Sequence, residues 1–325
     1  MKMETLLHCN ILRCLLRAAC CLLPAAAAAA DAPWQSRCYA PTTLTKLGDY
    51  YFLVDCWHHR VLWNKTLDND LAKWKTLDDD LAGPHSVASD GAVYLVEDTG
   101  RHAVRVYRPE GDGFRKVGQI DGLGKRPHRI RYDAPSSAFY VLSAASQHIT
   151  KLVREGDRVT VRYSRRLEFL KDEYTRSMTI DGDAMVFVSG LGFIFKTTFR
   201  DDRFSVLAQY RVPFEVNGLA DMNDVFHTDD GWWYVTATPR PIVRTRSLEA
   251  LVRGEYEKLD SQLGLQGTPY YLSRIEGRYY VPQIGEYNGV VSFVHRDGRI
   301  ADVRTVFDFG RPQPSDARRR GERPL

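Results

Sequence analysis

The 325-residue sequence has no excess of charge of one sign and no long apolar span. Its 45 Lys and Arg residues against 41 Asp and Glu residues give a formal net charge of +4, which is too small to indicate a nucleic-acid or membrane-surface partner. The apolar run near the N-terminus is interrupted by Arg17 and Pro24, and it is too short to cross a bilayer comfortably. The remaining composition is that of a globular protein with ample material for a core.

Several catalytic signatures are missing as well. The sequence contains no G-x-S-x-G, no H-E-x-x-H, no P-loop and no EF-hand loop. These motifs carry the nucleophile, the metal ligands or the phosphate cradle of their classes. Their absence excludes an α/β-hydrolase elbow, a zincin, a P-loop nucleotide site and an EF-hand calcium site.

The first thirty residues predict a cleaved signal peptide. Lys2 and Arg13 accompany a Leu/Cys/Ala-rich run that ends in six alanines, Ala25–Ala30, and these small residues before Asp31 fit a cleavage site. We therefore expect a secreted or periplasmic protein, with an uncleaved anchor as the alternative; bacterial and eukaryotic export both remain open. At the other end, residues 311–325 are rich in Pro, Arg and Asp, which predicts a disordered tail.

Short β-rich runs are abundant, and they recur in a fixed order. The segment GPHSVASDGAVYLVEDTGRHAVRVYR at 83–108 holds a Pro-His pair, an Asp-Gly turn, a β-rich run, an Asp-Thr-Gly loop and a second β-rich run. Six copies of this order, aligned on the apolar residue of the first strand, are separated by 43, 43, 48, 47 and 47 residues. The aligned residues are Leu44, Val87, Ile130, Met178, Val225 and Leu272.

Each copy is followed by one more strand-like run, such as FRKVGQI after the second copy. A unit of four strands repeated about every 45 residues is a propeller period. The sequence therefore predicts an all-β, six-bladed β-propeller with four-stranded antiparallel blades around a central channel. It is a single domain over residues 36–310, with blades starting near 40, 84, 127, 175, 222 and 268. Residues 247–259 predict a short helix inserted between two strands.

Two copies resemble the NHL repeat, in which a strand is followed by Asp-x-x-Asn-x-Arg-Val and a second strand. The stretch VYLVEDTGRHAVRVYR is one, and FLVDCWHHRVLW is the other, with Asp55, Arg60 and Val61 in register. The stretch MNDVFHTDDGWWYVTAT is also similar to a segment of the SMP-30/gluconolactonase and strictosidine-synthase-like propellers. The resemblance implies an exported six-bladed propeller with any site on the axis at one face.

A polar or aromatic residue stands two positions before each aligned residue. We call this set the axial ring; its members are Thr42, His85, His128, Arg176, Asn223 and Tyr270. Successive strand residues alternate sides, so all six point the same way, and because none is aliphatic the channel is favoured over the blade interfaces. The loops after the second strands reach the same face, so we expect Asp55 and Asp98 there too. The ring predicts a ligand pocket made by convergent polar groups; a merely water-filled channel is the alternative.

A metal site is a second hypothesis for the axial ring. His85 and His128 from adjacent blades, with Asn223 across the axis, offer ligands to a single divalent ion such as Zn²⁺ or Ca²⁺, and the resemblance to lactonase-like propellers implies axial metals. Two features oppose it. Thr42 stands where the lactonase pattern has an acidic residue, and Arg176 would repel a cation.

The two cysteines after the signal peptide predict one disulfide. Cys56 falls at the end of a second strand, and Cys38 just precedes the adjacent inner strand. Antiparallel neighbours bring these two ends together. The alternative is a catalytic pair of Cys56 with His58 or His59.

The function that we predict is an exported binding module for a small polar molecule, a glycan or a peptide. Arg176, His85 and His128 suit an anionic or hydroxyl-rich ligand, while Tyr270 and Trp57 offer flat faces to a sugar. One alternative is a metal-assisted hydrolase or lyase that uses the same ring. Another is a scaffold that binds a protein partner through its rim. We expect a monomer, with no nucleic-acid partner and no membrane span.

Overall fold

The computed structural model describes residues 35–171, 173–217, 222–239 and 241–313. The predicted signal peptide and residues 314–325 of the predicted tail lie outside these ranges. Within them, the chain forms six antiparallel sheets, each built from strands that are consecutive in sequence. This is the propeller that the repeat period predicts.

In the first three blades, the strand order in the sheet follows the order in the chain. Their strands are β1 (Pro41–Leu47), β2 (Tyr50–Asp55), β3 (Arg60–Asn64) and β4 (Lys75–Asp78); β5 (Val87–Ser89), β6 (Tyr94–Asp98), β7 (Ala103–Glu110) and β8 (Gly113–Ile120); β9 (Pro127–Asp133), β10 (Ala138–Ser143), β11 (His148–Glu155) and β12 (Arg158–Arg166).

The last three blades follow the same plan, except that the inner strand of the sixth is split in two, and both pieces pair with the next strand. Their strands are β13 (Met178–Asp181), β14 (Ala184–Val188), β15 (Phe193–Thr198) and β16 (Val206–Arg211); β17 (Met222–His227), β18 (Trp233–Ala237), β19 (Ile242–Thr245) and β20 (Glu257–Lys258); β21 (Thr268–Pro269), β22 (Ser273–Ile275), β23 (Arg278–Ile284), β24 (Asn288–Arg296) and β25 (Arg299–Gly310).

Six hydrophobic clusters hold the blades together, and each cluster joins two neighbouring blades. Between the first two blades, Phe52 of β2 packs against Tyr94 of β6, with ring centroids 5.3 Å apart. Leu53, the next residue along β2, belongs instead to the cluster shared with the sixth blade. Because successive side chains of a strand point to opposite faces of the sheet, β2 contributes apolar residues to both faces of its blade. A single blade can bury both faces only between two neighbouring blades.

The propeller closes without exchange of a strand among the described residues. At the seam between the sixth and first blades, Leu44 of β1 shares a cluster with Tyr280 and Phe307. Ser273 donates a side-chain hydrogen bond to the carbonyl of Leu44, and the backbone N–H of Tyr271 donates to the carbonyl of Thr42 at 3.3 Å. Apolar packing and a few hydrogen bonds therefore join the two ends of the domain.

Two short helices interrupt the strands: α1 (Phe214–Asn217) and α2 (Leu248–Val252). The second confirms the insertion predicted at 247–259. The Ser247 hydroxyl accepts the N–H of Ala250 at 3.0 Å and so caps α2, while Leu248 and Leu251 pack into the cluster between the fourth and fifth blades. No helix within the described ranges is long and apolar enough to cross a membrane.

Candidate ligand-binding site

All six residues of the axial ring line one cavity of about 410 Å³, contributed by all six blades. Each residue stands at the start of an inner strand or within two residues of it. The side-chain alternation that places them together is the one that the sequence predicts. The cavity is further lined by Ala40, Cys56, Trp57, Arg126, Tyr174, Thr238 and Ile284.

Two histidines from neighbouring blades stack against each other in the cavity wall. The imidazole rings of His85 and His128 are stacked, with centroids 3.8 Å apart and an angle of 16° between their planes. Burial lowers the pKa of His85 to about 3, and the positive charges of Arg126 and Arg176 act in the same direction. Burial also lowers the pKa of His128 well below its usual value, with His85 and the same arginines as further causes. Both imidazoles are therefore neutral at physiological pH.

Arg126 and Tyr174 belong to the cavity, and the sequence analysis missed them. The Arg126 Nε donates to the Tyr174 hydroxyl at 3.0 Å. The guanidinium carbons of Arg126 and Arg176 lie 5.7 Å and 5.1 Å from the centroid of the Tyr174 ring. The same two-residue alternation would have found both residues, since each stands two positions before a member of the axial ring.

Asn223 is held by its own surroundings. Its side-chain nitrogen donates to the carbonyl of Pro269 at 3.0 Å, and its side-chain oxygen accepts from the Thr238 hydroxyl at 3.3 Å. Both ends of the amide are thus already engaged, so Asn223 contributes mainly shape to the cavity.

Asp55 does not line the cavity, contrary to the expectation from the sequence. It is fully buried, its carboxylate accepts the N–H of Ala40 at 3.2 Å, and it pairs with Arg60 Nε at 3.0 Å and with His58 Nδ1 at 2.6 Å. Burial alone would raise the pKa of Asp55, but the charges of His58 and Arg60 hold it well below its usual value. The Asp55 carboxylate is therefore a buried anion, and it holds the segment that leads into β1 through the N–H of Ala40.

Asp98 plays the same part in the second blade and is likewise absent from the cavity. It accepts the N–H of Ala82 at 2.7 Å and the Nε of Arg105 at 2.8 Å. In the sixth blade Gln283 accepts the N–H of Gly267 at 2.8 Å. A residue at the end of these second strands, or one position before it, therefore anchors the segment leading into the inner strand. The NHL-like Asp and Arg positions thus have a structural role.

The predicted disulfide is not formed. Cys38 and Cys56 are both buried free thiols. Cys38 packs in the cluster between the first and sixth blades, whereas Cys56 faces the axial cavity with its Sγ 3.8 Å from His85 Nε2. The strand ends do meet, but the two side chains point to different surroundings. Burial, followed by the charge of Asp55, raises the pKa of Cys56, which also opposes a role as a nucleophile.

The axial ring does not fit a divalent metal ion. Among the residues that the structure describes, the cavity lining contains no carboxylate, and His128 already uses Nδ1 in hydrogen bonds inside the protein. In the part of the chain that the structure describes, no three His, Cys, Asp or Glu side chains converge as metal ligands. Arg126 and Arg176 would repel a cation at this point. These side chains therefore do not fit the metal site of His85, His128 and Asn223 that the sequence suggested.

Comparison with known proteins gives no match to a family model and none to a curated protein sequence. Solved structures do match. A protein of Bacteroides fragilis NCTC 9343, provisionally named a 6-phosphogluconolactonase, has a TM-score of 0.59 at 13% identity over 83% of this chain and 85% of that chain. The chain is a six-bladed β-propeller.

A second protein with the same provisional name, from Bacteroides uniformis ATCC 8492, has a TM-score of 0.56 at 13% identity, covering 81% of this chain and 84% of its own. A chain of a nidogen/laminin complex has a TM-score of 0.54 at 12% identity, covering 78% of this chain and 92% of its own length. At such identities the likeness shows the fold, while ligand and reaction depend on the residues of the cavity.

Proposed function

We propose that the protein is an exported binding propeller whose axial cavity takes a small anionic ligand. The observation that carries the proposal is the cavity lining, which among the described residues holds the guanidinium groups of Arg126 and Arg176 and no carboxylate. The cavity volume of about 410 Å³ lies in the range of small-molecule sites. A guanidinium group matches the geometry of a carboxylate or a phosphate.

Arg126 is the residue that we expect to contact the anion. Its Nε is committed to the Tyr174 hydroxyl, which fixes the orientation of the guanidinium plane. Among the described residues it forms no ion pair with a carboxylate. Its two terminal nitrogens therefore face a ligand or water, and a charge-assisted hydrogen bond from them contributes about 1.5–3 kcal/mol.

The rest of the wall suits the uncharged part of such a ligand. Trp57 and Tyr270 present aromatic surface, against which a sugar ring or an apolar side chain can pack. His85 and His128 supply polar atoms without charge. An acidic glycan fragment, an acidic peptide end and a small organic acid all belong to this class.

The test is calorimetric titration of the purified domain with citrate, succinate and inorganic phosphate. We compare the wild type with Arg126→Gln and with a matched control, Arg115→Gln, whose side chain is paired with Glu110 on an outer strand. We expect anion binding that Arg126→Gln weakens at least tenfold and that Arg115→Gln leaves unchanged. Equal affinity in all three proteins, or no anion binding at all, would overturn the proposal.

Export rests on the first thirty residues alone. N-terminal sequencing of the protein recovered from outside the cytoplasm tests it: a chain that begins near Asp31 supports the proposal, and an intact Met1 contradicts it.

Hydrolysis of a lactone is a second candidate, favoured by the fold likeness to the two proteins named 6-phosphogluconolactonases. In this chain the base would be the imidazole of His128, which lines the cavity, and its lowered pKa makes it a weak base. A hydrolase would turn over simple sugar lactones, and His128→Gln would abolish turnover while anion binding persists. Binding without turnover would leave the binding module as the function.

A further inference from the structure

The outer edge of the His128 imidazole is held by two groups. His128 Nδ1 lies 2.6 Å from the Tyr271 hydroxyl and 3.1 Å from the backbone carbonyl of Arg176. The Tyr271 hydroxyl is itself 2.7 Å from the same carbonyl. His128 and Tyr271 are both buried. The Tyr271 hydroxyl also lies 3.2 Å from the backbone carbonyl of His128, so it has two carbonyl acceptors within reach besides its contact with Nδ1.

Counting protons assigns the tautomer of His128. The Arg176 carbonyl can only accept, and the Tyr271 hydroxyl has one proton to give. If the hydroxyl donates to the carbonyl and Nδ1–H donates to the hydroxyl oxygen, every contact pairs a donor with an acceptor. With the proton on Nε2 instead, the Nδ1 lone pair would face a carbonyl oxygen at 3.1 Å. The hydrogen-bond network thus places the proton on Nδ1.

The positive charge of Arg129 over the Tyr271 ring acts in the same direction. The guanidinium carbon of Arg129 lies 3.7 Å from the centroid of the Tyr271 ring. A cation over the ring withdraws electron density from the phenol and makes its hydroxyl a better donor to the Arg176 carbonyl. That bond leaves the hydroxyl oxygen as the acceptor for Nδ1–H.

The opposite edge of the imidazole is left with a lone pair. His128 lines the cavity, and within the described ranges no hydrogen bond reaches its Nε2. The guanidinium groups in the wall can only donate. Nε2 is therefore a fixed acceptor in a cavity whose described charged groups, Arg126 and Arg176, are donors.

We infer that Tyr271 positions His128 as the hydrogen-bond acceptor of the site, and that the ligand is a hydroxylated anion whose hydroxyl donates to His128 Nε2. This inference rests on the proposed binding of an anion beside Arg126. The hydroxyl would lie next to the anionic group, because His128 and Arg126 line the same small cavity. Tyr271 acts through His128 and has no contact with the ligand.

The first experiment requires no ligand. Nitrogen-15 NMR of protein labelled at histidine reports which nitrogen carries the proton, and His128→Gln identifies the resonances. We expect a protonated Nδ1 and an unprotonated Nε2 for His128 in the wild type. Tyr271→Phe should keep the proton on Nδ1, because the Arg176 carbonyl at 3.1 Å remains its acceptor, and should broaden the His128 resonances, because the contact of 2.6 Å that holds the ring is lost. A proton on Nε2 in the wild type overturns the inference.

The second experiment uses two acid pairs that differ only by a hydroxyl: malate against succinate, and citrate against tricarballylate. One neutral hydrogen bond corresponds to about a 3- to 10-fold preference for the hydroxylated acid. We expect that preference in the wild type and its loss in Tyr271→Phe, which keeps its affinity for succinate. Arg126→Gln should weaken all four acids together.

The outcomes separate the two proposals. If the acids bind through Arg126 but the hydroxyl brings no preference, the anion site stands and the role of His128 is overturned. If no acid binds, both fall. If the preference survives in Tyr271→Phe, another group accepts the hydroxyl and Tyr271 is not the positioning residue.

Discussion

The imidazoles of His85 and His128 lie face to face with centroids 3.8 Å apart, although 43 residues separate them in the chain. Stacking at this distance is compatible with neutral rings, because two imidazolium charges so close would repel strongly. Burial and the nearby arginines keep both rings uncharged. Among the described residues, the positive charge of the cavity wall thus comes from Arg126 and Arg176.

This neutrality makes stability depend on pH. The pKa of His85 is about 3 in the folded protein, against about 6.5 in an unfolded chain. Between these values the unfolded chain binds more protons, so stability is full above about pH 6.5 and is lost as pH falls toward 3. Between pH 7.5 and 5.0 we expect His85→Leu to lose about 2 kcal/mol less unfolding free energy than the wild type.

The measurement for this prediction is urea unfolding at the two pH values. His148→Gln, at the start of β11 and outside the cavity, is the control and should behave as the wild type. An identical loss in His85→Leu and the wild type would show that His85 is not held neutral.

The Arg126–Tyr174 hydrogen bond offers a test of how the anion site is ordered. Tyr174→Phe keeps the aromatic surface and removes only the hydroxyl that accepts from Arg126 Nε. A hydrogen bond between a neutral group and a charged group contributes about 1.5–3 kcal/mol. We therefore expect the loss of this bond to lower the affinity for the anion by one order of magnitude or more. Calorimetry with succinate measures it, and an unchanged affinity would mean that the guanidinium plane is fixed by other contacts.

Asp55 should matter for stability and not for binding. Asp55→Asn breaks a buried group of charges with His58 and Arg60, which costs about 3–5 kcal/mol. Asp157→Asn is the control, since its side chain is 88% exposed and its ion pair contributes little. Urea denaturation measures both variants. A loss below 1 kcal/mol in Asp55→Asn would contradict the anchoring role.

The two cysteines should behave as free thiols that are shielded from reagents in the folded protein. Burial raises the pKa of both Cys38 and Cys56, and neither side chain is open to solvent. Thiol titration of the mature protein should therefore find no reactive group in the native state and two in denaturant. A count of zero in denaturant would show that the cysteines are joined after all.

The sequence determined the fold because the fold is a repeat. Six copies with an Asp-Gly turn or its equivalent, spaced 43 to 48 residues apart, specify four-stranded units that must stack to bury both faces. The alternation of side chains along the inner strands also placed the six residues of the axial ring around one cavity. Local periodicity suffices for both results.

The tertiary structure alone decided what the polar residues do. Asp55 and Cys38 lie close in sequence to members of the cavity wall, yet one caps the chain entering β1 and the other fills an apolar cluster. The hydrogen bond between Tyr271 and His128 joins residues that are 143 positions apart in the chain. Such contacts depend on how the blades meet around the axis, and a repeat period fixes the spacing of the blades without fixing which side chains meet between them.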